Sequence, residues 1–260
     1  MKKPAQSILG LLMFSSTIGI GQGAIHHLLN PCINVFSCTP RLFPSPEEPD
    51  SVDFGLDSVW ANKYVGEGID LWNGSGIVGA TARATYQGFT AKTWYGVSDN
   101  GSNYGELKFR GEYIKELEDW TIMPWFEQSF VFPGNKGIPR PGIKLTYHLN
   151  ETYFTGTDFY WQHNNSVFRG YYSVFFGGQV QITDNIRFNS TIRYGYNGGY
   201  VGPGIGHGSN AIDYFNTLAY KFNDHFNMDI FANYAQALTT LRNAGKSGIF
   251  YYGINFHYDF

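Results

Sequence analysis

The feature that most constrains this chain is a strict alternation of apolar and polar residues over long segments. The last eleven residues read FYYGINFHYDF, and an extended strand would place on one face Phe250, Tyr252, Ile254, Phe256, Tyr258 and Phe260. The segments Ile186–Tyr196 and Phe168–Ile182 show the same period of two. Such a period over ten or more residues predicts long β-strands that have one apolar and one polar face.

Twelve segments carry this pattern: 52–71, 76–86, 89–98, 104–115, 120–132, 141–149, 153–162, 167–182, 186–196, 211–222, 226–236 and 247–260. Strands of globular proteins usually have about 5–6 residues, whereas a tilted strand that crosses a membrane needs about 9–11. Tight turns alternate along the chain with longer connections, as in outer-membrane barrels. The sequence therefore predicts an all-β fold, an antiparallel up-and-down transmembrane β-barrel of about 12 strands over residues 51–260. Ten or fourteen strands stay open, because the first and eighth segments are the least well bounded.

Composition limits the other classes of protein. Charged residues make up 15% and aromatic residues 18% of the chain, which is the opposite of a disordered composition. Beyond the N-terminus no apolar run is long enough for a membrane-spanning helix, and a net charge of −3 gives no basis for nucleic-acid binding. A soluble β-sandwich is the competing fold, but it would have shorter strands and more surface charge.

The first fifty residues predict export. Residues 1–24 have the order of a signal peptide: two lysines, an apolar stretch over Ile8–Ile20, and small residues before Ala24. A retained anchor helix is the alternative, although the apolar stretch is short for one. Residues 25–50 predict a periplasmic linker with four prolines in Thr39–Asp50. In an oxidising compartment Cys32 and Cys38 could form a local disulfide, or they have no role.

Two resemblances point to the bacterial outer membrane. Phe260 ends an alternating aromatic strand and resembles the terminal signature that the barrel-assembly machinery reads in Gram-negative outer-membrane proteins. Over residues 52–260 the chain also resembles the TorF-type porin family, in NKYVGEGID at Asn62–Asp70, in Glu106–Tyr113 with Phe130–Gly134, and in Ile212–Tyr214 with Leu218–Phe222. The resemblance implies an outer-membrane porin with lipid and the assembly machinery as partners. Glu67 stands where that family usually has arginine, so any effect of that arginine on the charge of the lumen would differ here.

If the apolar faces meet lipid, the polar faces line an interior. Alternation assigns to that interior nine positive charges, Arg83, Lys92, Lys108, Arg110, Lys144, Arg169, Arg187, Arg193 and Lys221. It also assigns nine negative charges, Asp53, Asp57, Glu106, Glu112, Glu127, Asp158, Asp213, Asp229 and Asp259. These residues are the predicted pore lining, and their balance predicts weak ion selectivity. The expected function is passive passage of small polar solutes, with a salt-bridged, plugged structural barrel as the alternative.

One motif suggests an enzyme instead. His207-Gly208-Ser209-Asn210 resembles the His/Ser pair of outer-membrane acyl hydrolases, in which an imidazole takes the proton of a serine hydroxyl. The motif ends a glycine-rich loop, Asn197–Asn210, and the nearest residue that could orient the histidine is Asp213. A preorganised catalytic site is therefore not expected, and neither a cofactor nor a metal site is predicted.

Overall fold

The computed structural model describes residues 52–134, 137–164, 167–201 and 204–260. The predicted signal peptide, residues 1–24, and the predicted linker, residues 25–50, lie outside the described residues. The same holds for Cys32 and Cys38, so the disulfide between them stays a prediction.

Twelve long antiparallel strands form one sheet within the described residues. They are β1 (Asp53–Ala61), β2 (Ile77–Tyr86), β3 (Phe89–Ser98), β4 (Gly105–Tyr113), β5 (Trp120–Phe132), β6 (Ile138–His148), β7 (Tyr153–Asn164), β8 (Val167–Thr183), β9 (Ile186–Gly198), β10 (Gly208–Lys221), β11 (Phe226–Ala237) and β12 (Ile249–Asp259). Each strand pairs with its neighbours in the chain, and β12 pairs with β1, with Gly55 opposite Asp259. The sheet is therefore closed, and the predicted twelve-strand barrel is confirmed.

The two ends of the barrel differ in their connections. At one end, here called the turn end, adjacent strands are joined by short turns such as Gln87–Gly88, and both β1 and β12 have their outer termini there. The opposite end, here called the loop end, carries the long connections, which include residues 62–76 and 238–248. In outer-membrane barrels the short turns face the periplasm and the long loops face outward.

Alternation separates two faces along every strand. On β12, Tyr251, Gly253 and Asn255 are buried in the interior, whereas the residues between them point outward. Large apolar side chains of the outer face stay exposed, among them Phe109 at 46% and Ile230 at 49%. A soluble protein rarely leaves such a contiguous apolar surface in water, so the exterior is a lipid-facing surface and the sandwich alternative is excluded.

The first predicted strand is shorter than expected. It ends at Ala61, and residues 62–76 form a loop that contains a small hairpin, Val65–Gly66 paired with Ile69–Asp70. The φ angles of Glu67 (46°), Gly68 (77°) and Gly74 (92°) are positive, which interrupts the extended backbone. Glycine adopts positive φ angles without steric penalty. The predicted segment 52–71 therefore combined one barrel strand with part of an inserted loop.

The loop end also carries one short helix, α1 (Thr239–Asn243), whose Leu241 is fully buried. Its Thr240 hydroxyl donates to the backbone oxygen of Ser209 (2.8 Å), which holds the helix against β10. Across the described part of the chain, every helix is too short or too polar to cross a bilayer.

Candidate functional site in the barrel interior

The charged residues predicted to line a pore fall into three groups by exposure. The structure buries Glu106, Lys108, Glu112, Glu127, Asp213 and Asp229. It leaves half-buried Asp53, Asp57, Arg83, Lys92, Arg110, Lys144, Asp158, Arg169, Arg187, Arg193 and Asp259. Lys221 is exposed at the rim of the turn end, where its ammonium group lies 2.6 Å from the Asp224 carboxylate. That these side chains line a solute path stays a prediction.

Loop 62–76 folds into the loop end of the barrel and joins the wall through Tyr64. The Tyr64 hydroxyl donates to Glu106 Oε2 (2.6 Å) and accepts from Lys108 Nζ (2.9 Å). The Lys108 ammonium group also lies over the ring of Trp94, 4.8 Å from its centroid. Tyr64 and Glu106 are fully buried. Without the Tyr64 side chain of the loop, the strand residues Glu106 and Lys108 would each lack one hydrogen-bond partner.

Glu67 holds the tip of the same loop. Its carboxylate accepts a hydrogen bond from the Tyr160 hydroxyl, and its backbone oxygen accepts one from the side-chain amide of Asn210. Burial raises the pKa of Glu67 to about 7, although Tyr160 and the positive charges of Arg193 and Arg140 act in the opposite direction. The position where this chain departs from the resembled family is therefore a contact between the loop and the barrel wall.

Arg140 is the centre of a second buried network. Its guanidinium Nη2 lies 2.6 Å from Glu127 Oε1 and donates to Ser129 Oγ (2.7 Å), and its Nη1 donates to the Tyr200 hydroxyl (3.1 Å). Arg140 is 1% exposed. The predicted segment 141–149 begins one residue after this arginine, because prolines on both sides obscure the start of β6 at Ile138. The even spacing of Arg140 from Lys144 was the signal that could have placed it on the inner face.

Aromatic rings fill the remaining space at the loop end. Tyr160 packs against Trp125, Tyr171 and Tyr200, with ring centroids 5.5, 5.3 and 4.9 Å away. The three tyrosines are at most 2% exposed. A twelve-strand barrel is wider than its own wall side chains fill. Here loop 62–76 and Tyr200, from the connection between β9 and β10, occupy that extra width.

The turn end has a different arrangement. Arg83 contacts the carboxylates of Asp57 (3.5 Å) and Asp259, and His257 lies between Asp57 (2.8 Å) and Asp229 (3.2 Å). Further around the wall, Glu112 pairs with Lys92 (2.6 Å) and Arg110 (2.9 Å). Several of these side chains stay accessible to water, and Asp259 is the most exposed at 37%.

The His/Ser motif does not come together as a hydrolase site would require. Ser209 Oγ lies 2.6 Å from the hydroxyl of Tyr194, a residue of the outer face, and β10 begins with a register shift opposite Tyr196. His207 is exposed in the preceding loop. No group of three or more His, Cys, Asp or Glu side chains among the described residues is arranged to hold a metal ion.

Comparison with known proteins gives structural matches alone, since no family model and no curated protein matches the chain. The KdgM porin is 10% identical, with 79% of this chain and 99% of that chain covered and a TM-score of 0.56. The NanC porin is 13% identical, with 78% and 98% covered and a TM-score of 0.55. The chain has the fold of a porin barrel. A KdgM porin in complex with disordered oligogalacturonate matches it with a TM-score of 0.55. The porin fold and the lipid-facing exterior assign the protein to the bacterial outer membrane.

Proposed function

We propose that this protein is an outer-membrane channel for small polar solutes, and that loop 62–76 closes its loop end. One observation carries the proposal: connecting segments, namely loop 62–76 and Tyr200, occupy the width of the barrel interior that the wall side chains at the loop end do not fill. Connecting segments can leave the lumen while the strand pairing stays intact. Wall side chains have no such freedom.

The contacts of the loop support a reversible closure. Tyr64 and Glu67 hold it to the wall through hydrogen bonds to Glu106, Lys108, Tyr160 and Asn210. Each of these wall groups is polar, so water can replace the loop as their hydrogen-bond partner when it leaves. A net hydrogen bond contributes about 0.5–1.5 kcal/mol, and one to a charged group about 1.5–3. A few such bonds give a closed state that thermal motion can still open.

The proposed solutes are small and polar because the interior is. Most charged side chains there are paired, so the lumen offers hydrogen-bonding groups of both signs. The KdgM porin has been solved with a polar oligosaccharide, oligogalacturonate, and the TorF-type resemblance leads to the same class of channel.

The decisive test measures swelling of liposomes that contain the full chain in isosmotic arabinose, glycine or uridine. One variant replaces residues 62–76 with Asn-Gly, a two-residue hairpin turn that can join Ala61 to Ile77, which lie opposite each other. We expect slow swelling with the native chain and clearly faster swelling with this variant. The control replaces residues 101–103 of the neighbouring, mostly exposed connection, which keeps Asn100 and its hydrogen bond to Ser75 in loop 62–76 (2.9 Å), and it should behave like the native chain.

Two results would overturn the proposal. If none of the solutes enters through the native chain or the loop variant, the barrel is a plugged structural element of the envelope. If the variant and the native chain swell liposomes at the same rate, loop 62–76 does not close the lumen. In both cases the heat-modifiable mobility of the protein on gels must first establish that the barrel is folded.

We further infer that the protein is not an enzyme and that it is inserted by the barrel-assembly machinery. The hydroxyl of Ser209 is hydrogen-bonded to a tyrosine of the outer face. This position is unsuited to a nucleophile. The backbone N–H of Phe260 donates to the backbone oxygen of Phe54 (3.0 Å), yet the residue is 67% exposed, so a receptor can bind it at the turn end. An acyl-hydrolysis assay of the native chain and Ser209→Ala tests the first point. Assembly of Phe260→Ala in cells tests the second.

A further inference from the structure

One row of inner-face residues at the turn end holds two opposite charges that do not meet. In the strand register, Arg187 on β9 lies opposite Ala219 on β10, Ala219 opposite Asp229 on β11, and Asp229 opposite Asn255 on β12. Directly opposite residues of an antiparallel sheet project from the same face. Asp229 and Asn255 are buried in the interior, so the whole row faces the lumen.

The polar groups of this row have unused bonding capacity. The Nε of Arg187 is buried without a hydrogen-bond partner, and none of the ion pairs among the described residues includes Arg187. The Oδ1 of Asn255 is also buried without a hydrogen-bond partner, and the residue is 4% exposed. Asp229 uses one oxygen to contact His257 at 3.2 Å. A buried polar atom without a partner is unfavourable, so a ligand that supplies the missing hydrogen bonds would bind more tightly.

The smallest side chain of the row, Ala219, stands between the two charged residues. Opposite residues on neighbouring strands have Cβ atoms about 4.5–5.5 Å apart, so the Cβ atoms of Arg187 and Asp229 are about 10 Å apart. The methyl group of Ala219 between them fills little of this interval. No ion pair joins the Arg187 guanidinium to the Asp229 carboxylate among the described residues, since the carboxylate contacts His257. A ligand that bridges the two groups would lie over this methyl group.

We propose that this row is a binding subsite for a small zwitterion of the amino-acid type. The carboxylate of the ligand would accept hydrogen bonds from the Arg187 guanidinium, whose planar donors match a carboxylate. Its ammonium group would donate to the Asp229 carboxylate and to Asn255 Oδ1. A simple anion would satisfy Arg187 but leave Asn255 Oδ1 without a donor, and a simple cation would leave the Arg187 guanidinium without an acceptor. The subsite names the solute class of the channel and therefore rests on the proposed function.

The experiment is isothermal titration of the folded full chain in detergent with three ligands of one carbon skeleton: 4-aminobutyrate, butyrate and n-butylamine. We expect 4-aminobutyrate to bind at least about tenfold more tightly than either singly charged analogue, which is the difference that one charge-assisted hydrogen bond produces. Equal affinity for the three ligands, or no binding of the zwitterion, would overturn the proposal.

Variants locate the subsite. Arg187→Gln and Asp229→Asn should each weaken 4-aminobutyrate binding by about tenfold or more. Arg169→Gln is the matched control, because Arg169 is a half-buried inner-face arginine at the loop end, and it should leave binding unchanged. If Asp229→Asn fails to fold because His257 loses its partner, Asn255→Leu tests the same end of the row. Unchanged binding in Arg187→Gln contradicts the assignment.

Swelling measurements separate this inference from the proposed function. Liposomes with the loop variant should swell faster in isosmotic 4-aminobutyrate than in arabinose, and Arg187→Gln should reduce that preference. If arabinose enters and no zwitterion preference exists, the channel stands and the subsite is wrong. If no solute enters but titration still detects 4-aminobutyrate, the subsite stands and the channel is wrong.

Discussion

The loop end and the turn end of this barrel share one wall chemistry but differ in their contact with water. At the loop end the side chains of Glu106, Lys108 and Arg140 are 1–3% exposed. At the turn end those of Arg83 and Asp259 are 23% and 37% exposed. Both ends contain carboxylates paired with Arg or Lys. At the turn end the contrast holds for the Arg83 and Asp259 side chains, since Glu112 there is only 3% exposed. At the loop end Tyr64 of loop 62–76 and Tyr200 contact the buried pairs directly.

This contrast shows that the connections, more than the strands, determine how strongly a charge pair in this lumen contributes to the stability of the barrel. An ion pair in contact with water stabilises the fold little, because water screens the attraction and solvates a charge that loses its partner. In a pair sealed from water, loss of one partner leaves an uncompensated charge in a medium of low polarity. Equivalent substitutions should therefore have large effects under the loop and small effects near the periplasm.

The largest expected effect follows from removal of the buried arginine. Arg140→Gln leaves Glu127 without its 2.6 Å partner and removes donors to Ser129 and Tyr200. We expect a loss of about 3–5 kcal/mol in the free energy of unfolding. Urea unfolding of the refolded barrel in lipid, followed by tryptophan fluorescence, measures it.

Arg83→Gln at the turn end is the matched comparison for this prediction. It also removes an arginine with two acidic partners, but from a site in contact with water, and should cost about 1 kcal/mol or less. A double variant, Arg140→Gln with Glu127→Gln, should recover part of the stability because no buried charge is left unpaired. Equal costs at Arg140 and Arg83 would show that the loop does not exclude water.

The next effect concerns the packing of loop 62–76. A methyl group at Gly68 would lie 2.7 Å from the Cβ of Ala211 and 2.9 Å from Leu241, whereas one at Gly74 would meet nothing within 4 Å. Both glycines have a positive φ, so Gly68→Ala and Gly74→Ala share the backbone strain and differ in the clash. We expect Gly68→Ala to increase channel opening several-fold more than Gly74→Ala in planar bilayers. Equal opening would mean that the loop does not pack against the wall as described.

The strands could be predicted from sequence, whereas the contents of the lumen could not. Alternation located β2, β3 and β5 to within one residue, because a strand with one face in lipid must repeat every second residue. Loop 62–76 has no such constraint, and its contacts join Tyr64 and Glu67 to residues that are distant in the chain. Lys221 shows the converse, since its parity is that of the inner face but its position at the last residue of β10 leaves its side chain exposed at the rim.

A smaller effect should appear as pH dependence of the closed state. The pKa of Glu67 is raised by burial from 4.5 to about 7, and release of the loop into water would return it to its ordinary value. Between these two values the closed state binds more protons than the open state, so closure is favoured at low pH and weakens as the pH rises through 7. Open probability should therefore increase from pH 5 to pH 8. Glu67→Gln should remove this dependence and stay closed at pH 8, and an unchanged pH profile in this variant would assign the effect to another group.

The smallest effect is expected for the exposed ion pair at the rim of the turn end. The ammonium group of Lys221 lies 2.6 Å from Asp224, but the two side chains are 49% and 87% exposed. Water screens both charges and solvates either one when its partner is lost, so exposed pairs of this kind contribute little. Lys221→Gln should leave the unfolding transition and the conductance indistinguishable from those of the native chain. A reduced conductance would place Lys221 on the solute path, and the path would then extend to the rim of the turn end.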